Sequence, residues 1–381
     1  MAVPYFRLRL DEGTIERTVA VLRSSWITTG PAVREFEQKF AEYIGGGVEA
    51  ISVNSCTAGL HLSLEAMGVG PGDEVITTDL TFTATAEVIR YMDATPIVVD
   101  CDLTTLCIDI NQVKASITDR TKAIIVVHYA GFAIDLTELS AVAKAKGIWI
   151  VEDAAHALPS LVNGLPVGRT GADATCFSFY ANKTMTTGEG GMVVTNNIRL
   201  IERIKVMRLH GINRDAFNRF TEKKAPWEYD VIAPGFKYNM TDVAAATGIG
   251  QLAQSDTFSE KRRGIAIRYD TALKALPIIL PPRAHISEHS WHLYVIQIDP
   301  TCGKTREALV DHFMDNDIGF SVHYKPLHRL QYWRDSLNLK IENYPNSETF
   351  FNRCLSLPIF PDMSDEEVDE VIGVVKRFFE A

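Results

Sequence analysis

Short apolar runs alternate with amphipathic stretches over the first part of the chain. Ala50-Ile51-Ser52-Val53, Glu74-Val75-Ile76-Thr77, Pro96-Ile97-Val98-Val99-Asp100, Ala123-Ile124-Ile125-Val126-Val127 and Ile148-Trp149-Ile150-Val151 each read as a strand. Several are apolar without strict alternation, which suits strands covered on both faces. Helical patterns separate them. One carries Leu60, Leu62, Leu64 and Met67, and another spans 136–146. This alternation predicts crossover helices packed on a mostly parallel central sheet, an α/β class.

The pattern changes near residue 250. Residues 241–275 predict one long helix running between two domains. Thr241 and Asp242 are its candidate caps, and Pro277 explains its end. A strand at 291–298, a helix at 304–315, a strand near 320–323 and a last helix at 364–379 follow. We therefore expect a large α/β domain over 1–250 and a small C-terminal α+β domain over 251–381.

A length of 381 residues accommodates both domains. Hydrophobic residues make up 46% and charged residues 23%, so a disordered chain is excluded. Lys+Arg total 38 against 48 Asp+Glu, a formal charge of -10. That balance argues against a nucleic-acid partner, which would call for a basic face. The six cysteines are scattered without zinc-ligand spacing, so they read as reduced thiols and no metal site is expected. The start lacks a continuous apolar signal core, and no run of about 18 apolar residues occurs. A soluble, cytoplasmic protein without a membrane partner is expected.

Candidate chemistry concentrates in three places. Ile150-Val151-Glu152-Asp153-Ala154-Ala155-His156 ends an apolar strand in a carboxylate, where open α/β sheets bind ligands. An Asp there is equally often a helix cap. Further on, Ser178 and Lys183 lie between an apolar strand and Gly188-Glu189-Gly190-Gly191. Lysine in such a loop is usually solvated, and its alternative role is a Schiff-base nucleophile. A lysine, a strand-end carboxylate and a hydroxyl are what pyridoxal 5'-phosphate (PLP) needs for its aldehyde, ring nitrogen and phosphate. Ser55-Cys56-Thr57-Ala58-Gly59, joining a strand to a helix start, offers a phosphate cradle.

Together these motifs resemble the DegT/DnrJ/EryC1/StrS family of sugar aminotransferases. The resemblance runs in order from Trp26-Ile27-Thr28-Thr29-Gly30-Pro31 through Pro71-Gly72-Asp73 and Thr81-Phe82-Thr83-Ala84-Thr85. It continues through Glu152 to His156, Gly188 to Gly191 and Tyr238-Asn239-Met240-Thr241-Asp242, and ends at Leu357-Pro358-Ile359-Phe360-Pro361. It implies a fold-type I architecture of the aspartate aminotransferase kind and PLP as cofactor. Within the family the chain is most similar to enzymes making UDP-4-amino-4-deoxy-L-arabinose and related sugars. Many members carry Asn-Gly-Thr where this chain has Ser55-Cys56-Thr57.

The resemblance also implies roles. Lys183 matches the lysine that carries the cofactor as an imine, and Asp153 the carboxylate on the pyridine nitrogen. Phe82 and His156 match the residues covering the two ring faces. Ser178 matches a phosphate ligand, with Cys56 and Thr57 giving backbone N–H groups. Asn239 matches a phosphate contact reached across a homodimer, so that two chains share each active site. Thr28, Gly30, His323 and Tyr324 are candidates for the substrate pocket, and Lys325 and Arg208 could meet a diphosphate. Family dehydratases place histidine where Lys183 stands, so the lysine argues against dehydration. The expected reaction moves an amino group from L-glutamate to a nucleotide-linked keto sugar, foremost a UDP-4-keto sugar, for surface polysaccharide such as lipopolysaccharide. The alternatives are a PLP enzyme of other chemistry, such as a lyase or a C3 aminotransferase on a dTDP or GDP sugar, and a non-catalytic PLP-binding regulator.

Overall fold

The structure, a computed structural model, describes residues 1–213, 228–282 and 288–380. Seven strands form the main sheet, in the order β1-β9-β8-β5-β4-β2-β3. They are β1 Glu49–Val53, β2 Glu74–Thr78, β3 Thr95–Val99, β4 Thr121–Val127, β5 Trp149–Asp153, β8 Ala174–Ser178 and β9 Gly191–Thr195. All pairings from β8 to β3 are parallel, and only β9 runs against its neighbours β8 and β1. The expected mostly parallel sheet is thus present. Its strands are apolar because helices cover both faces: β2 and β9 are buried along their whole length. A two-residue hairpin, β6 Leu161–Val162 with β7 Leu165–Pro166, lies between β5 and β8.

The helix Cys56–Ala66 is buried almost all round. Leu60, Leu62 and Leu64 pack with Val53, Val193 and Ile204 in one apolar cluster. A second sheet, β10 Ile278–Ile279, β11 Tyr294–Ile298 and β12 Cys354–Leu357, is antiparallel and has its own core with the helices Ser255–Leu273 and Asp365–Glu380. Val3 joins this C-terminal core, and its N–H donates to the Asp317 carbonyl at 3.0 Å. Ser364 and Glu367 form a reciprocal capping box at the last helix: the Ser364 N–H donates to Glu367 Oε2 at 2.9 Å, and the Glu367 N–H to Ser364 Oγ at 3.2 Å.

Two expected elements differ. The single long helix is two helices, Asp242–Leu252 and Ser255–Leu273, broken at Ala253 and Gln254. No proline or glycine marks the break. Its reason is tertiary: Ala245 and Ile249 pack with Phe36 and Phe179, whereas Ile265 and Tyr269 pack in the C-terminal core. The expected strand near 320–323 is only a bridge between Ser321 and Ser356. His323 is drawn off instead, since its carbonyl accepts from the Tyr129 hydroxyl and its Nδ1 lies 2.8 Å from Ser356 Oγ.

Candidate active site

The carboxyl ends of β2, β4, β5 and β8 meet the start of the helix Cys56–Ala66 around a cavity of about 380 Å³. Asp153, the last residue of β5, lies at its base, 6% exposed. Its Oδ2 accepts from Thr85 Oγ1 at 2.8 Å and its Oδ1 from the Ala155 N–H at 3.2 Å. Burial raises the Asp153 carboxyl above its usual range, and Thr85, Ala155 and Lys183 oppose that rise. Glu152, one residue earlier, is turned to the other face by strand alternation and accepts from Thr175 Oγ1 at 2.5 Å.

Lys183 reaches the cavity from the loop between β8 and β9. That loop is tightly closed: the Lys183 N–H donates to the Tyr180 carbonyl at 3.0 Å, the Thr187 N–H to the Phe179 carbonyl at 3.0 Å, and the Phe179 N–H to the Gly190 carbonyl at 2.9 Å. Burial lowers the Lys183 amine to about 8, against the pull of Asp153. A substantial neutral fraction near pH 8 makes it a nucleophile.

Opposite, the helix Cys56–Ala66 points its first turn into the cavity. The N–H groups of Cys56 and Thr57 stand at its first two positions, where no intrahelical acceptor exists. Ser55 caps the helix by accepting from the Ala58 N–H at 3.1 Å. Gly191 lets this turn approach β9: a Cβ there would lie 2.6 Å from the Ser55 carbonyl carbon. Ser178 lines the same end of the cavity from β8.

His156 and Phe82 form two further walls. His156 Nδ1 accepts from the Ala130 N–H at 3.2 Å, so its proton is on Nε2, which faces the Tyr324 hydroxyl at 2.9 Å. Burial holds this imidazole well below its ordinary range, with the charge of Lys183 acting the same way. Phe82 is 57% exposed at the rim, its ring 5.7 Å from that of Tyr324. His323 also lines the cavity, and burial lowers it to about 4.

The structure therefore brings Cys56, Thr57, Phe82, Asp153, His156, Ser178, Lys183, His323 and Tyr324 around one space. Asn239, Thr28 and Gly30 form a separate group away from it. Asn239 Nδ2 donates to Thr29 Oγ1 at 2.6 Å, and the Asp242 N–H to the Thr28 carbonyl at 3.2 Å. Asp242 itself caps another helix, Pro31–Ile44, accepting from the N–H groups of Gly30, Ala32 and Val33. Arg208 is not free to meet a diphosphate: it is 6% exposed, and its Nη1 donates to Glu37 Oε1 at 2.5 Å and to the Ser52 carbonyl at 2.7 Å. Sequence reasoning passed over Thr85, Tyr180, Asn182 and Glu189. Thr85 was within reach, because Thr81 and Thr85 stand at helical spacing after a strand and their hydroxyls lie 2.8 Å apart.

A model of the DegT/DnrJ/EryC1/StrS aminotransferase family matches residues 9–376. The chain belongs to this family. It is 42% identical to the spore coat polysaccharide biosynthesis protein SpsC of Bacillus subtilis, over 98% of this chain and 96% of SpsC. Among solved structures it is similar to apo-form Spr1654 of Streptococcus pneumoniae, at 35% identity and a TM-score of 0.91, covering 100% of this chain and 98% of that one. Spr1654 is also solved in PLP- and PMP-forms. Helicobacter pylori PseC, an aminotransferase involved in the biosynthesis of pseudoaminic acid, aligns over 100% of both chains at 28% identity and a TM-score of 0.90. The fold is that of a fold-type I PLP-dependent transferase, and the cofactor of this family member is PLP.

The cavity fits that cofactor by its donor set. It holds a half-buried lysine of lowered basicity, a buried carboxylate and the N-terminal turn of a helix suited to a dianion. When bound, PLP supplies an aldehyde that accepts the amino group and a ring that takes up electrons.

Proposed function

We propose that the protein transfers an amino group from L-glutamate to a nucleotide-linked keto sugar, a UDP-linked 4-keto hexose or pentose. The product is an amino sugar for surface polysaccharide, made in the cytoplasm. The observation that carries this reading is Lys183, with an amine lowered to about 8, across the same cavity from the buried Asp153. The printed roles of SpsC and PseC support a sugar acceptor.

In this reading Lys183 would hold the cofactor by its aldehyde and, once released, would serve as general base and acid at the substrate carbon. An ionised Asp153 would hold the protonated ring nitrogen through a charge-assisted hydrogen bond. Neutral His156 would cover one face of the ring without opposing that positive charge. The first-turn N–H groups of Cys56 and Thr57, with Ser178, would hold the phosphate. Tyr324 and His323 line the sugar side.

We infer further that two copies of the chain share each site, with Asn239 of the partner subunit completing the phosphate contacts. In support, Asn239 lies outside the cavity of its own chain, in one hydrogen-bonded group with the loop of Thr28 and Gly30. Mixing Lys183→Ala with Asn239→Ala chains tests this, because hybrid dimers regain one intact site. No gain in activity from proven hybrids overturns the sharing.

The acceptor is tested with the cofactor in its amino form. UDP-, dTDP- and GDP-linked 4-keto and 3-keto sugars are added, and return of the PLP absorbance is followed. Fastest return with a UDP-4-keto sugar is expected. Return with none of the panel overturns the sugar reading. A lyase product from an amino acid, without conversion of the cofactor, overturns amino transfer itself.

A further inference from the structure

Tyr324 reaches the cavity from the C-terminal part of the chain, whereas Lys183, Asp153, Ser178 and the helix Cys56–Ala66 come from the seven-stranded sheet and its connections. Its half-buried ring is flanked by two others, 5.7 Å from that of Phe82 and 5.8 Å from that of His156. The residue before it is pinned as well. The His323 carbonyl accepts from the Tyr129 hydroxyl, and His323 Nδ1 lies 2.8 Å from Ser356 Oγ. The phenol therefore has a fixed place on the cavity wall.

The direction of its hydrogen bond is fixed too. The Ala130 N–H can only donate, so His156 Nδ1 accepts there. Burial keeps this imidazole neutral, so its one proton is on Nε2, 2.9 Å from Tyr324 Oη. A ring nitrogen that carries a proton cannot accept from the phenol, so Tyr324 Oη is the acceptor of this bond. The phenol keeps its own proton, because burial raises it above its ordinary range. That proton has no other hydrogen-bond partner among the described residues. Accepting from His156 also polarises the O–H and strengthens what it can donate.

The keto oxygen of a sugar only accepts, so it meets a fixed donor without conflict. Negative charge grows on that oxygen as nitrogen attacks its carbon, and a donor already in place stabilises it as it grows. We propose that Tyr324, aimed by His156, is a catalytic residue that donates a hydrogen bond to the oxygen on the reacting sugar carbon. This inference rests on the sugar reading above and names the group that would hold the acceptor at its reacting centre. His156 acts through Tyr324 and is a positioning residue in this step.

Binding to the PLP form of the holoenzyme tests this without turnover. Two UDP-hexoses, one with a hydroxyl at C4 and one deoxygenated there, are titrated by calorimetry. The wild type should bind the hydroxylated sugar about tenfold more tightly, the size of one hydrogen bond. Tyr324→Phe keeps the ring and removes the hydroxyl. It should bind both sugars alike, with melting temperature and resting cofactor absorbance unchanged. His156→Leu should lose most of the preference as well, and a full preference in that variant overturns the aiming role. A preference that survives Tyr324→Phe overturns the proposal. If the resting absorbance shifts while the preference survives, the phenol serves the ring oxygen of the cofactor instead, which overturns it equally. A wild type that binds both sugars equally overturns the proposal and leaves the sugar reading standing. A wild type that binds neither rejects the sugar reading itself, and the proposal with it. In stopped flow, the amino form of Tyr324→Phe should return PLP absorbance with a UDP-4-keto sugar about 10²–10³-fold more slowly. An unchanged rate overturns the catalytic role.

Discussion

His156 touches the segment 323–330 and His328 lies within it; both are buried, yet their surroundings push their basicity in opposite directions. His156 meets a backbone N–H and a phenol. Among the described residues the charges that act on it, Lys183 first, all oppose a positive charge, and burial keeps it neutral. His328 lies between two carboxylates, with Nδ1 2.6 Å from Asp79 Oδ2 and Nε2 3.0 Å from Glu348 Oε2. A carboxylate facing each nitrogen favours the imidazolium. Burial pulls His328 down, but the two carboxylates outweigh it and the net shift is upward. Its ring stacks on Tyr344 at 5.3 Å, and the His328 N–H donates to Asp79 Oδ1 at 2.9 Å. One region is thus a neutral wall for chemistry. The other is a charged clasp pinning that wall to the chain just ahead of Phe82. Partners, rather than residue type or depth, decide which.

If this division is right, changes in the cavity remove activity and spare stability, and changes in the clasp do the reverse. The largest effect is expected from Lys183→Ala: no imine absorbance and no turnover, with the melting temperature unchanged. Normal turnover by that variant would remove Lys183 from the mechanism. Asp153→Asn should keep cofactor bound and slow each half-reaction about 10²–10³-fold, as for a lost interaction with developing charge. Near-wild-type half-reactions in stopped-flow absorbance would sink the assignment.

The clasp comes next in size. His328→Ala leaves the buried Asp79 without its counter-charge, while Glu348 keeps Arg329, and should cost about 3 kcal/mol of stability by denaturant titration. Cofactor absorbance in the surviving folded protein should be unchanged. Thr85→Val takes one donor from Asp153 and should cost about 1 kcal/mol in the barrier, with little change in melting. A larger loss of stability than of rate would place Thr85 with the clasp instead.

The smallest effect is on pH dependence, and its sign differs between the histidines. The folded value of His328 is raised, so its stabilisation is complete below its ordinary 6.5 and fades as pH rises through the folded value. The folded value of His156 is depressed, so stability falls as pH drops below 6.5, where the unfolded chain takes up the proton. His328→Gln should flatten the alkaline side of the stability profile, and His156→Gln the acid side. Identical changes in both profiles would erase the distinction.

Much of this site was legible beforehand. Asp153 and Ser178 end strands and Lys183 stands between a strand end and a glycine-rich turn, where local pattern says a ligand can approach, whereas His156 is legible only through the family resemblance. The helix break at Ala253 and Gln254 was not legible, because helical periodicity continues across it and only the two separate cores distinguish its sides. The bridge at Ser321 was misread as a strand for the same kind of reason: Phe320 to His323 has the composition of a strand, and the competing bonds to Tyr129 and Ser356 come from far away.

By itself, then, the sequence determined the sheet, the order of the motifs and which side chains end its strands, since periods of two and of about 3.6 residues are local properties. Tertiary structure alone decided the partners: Thr85 under Asp153 from 68 residues away, and Asp79 against His328 from 249 away. Those partners set the charge states, because a buried group titrates according to the donors, acceptors and charges the fold brings within a few ångströms of it.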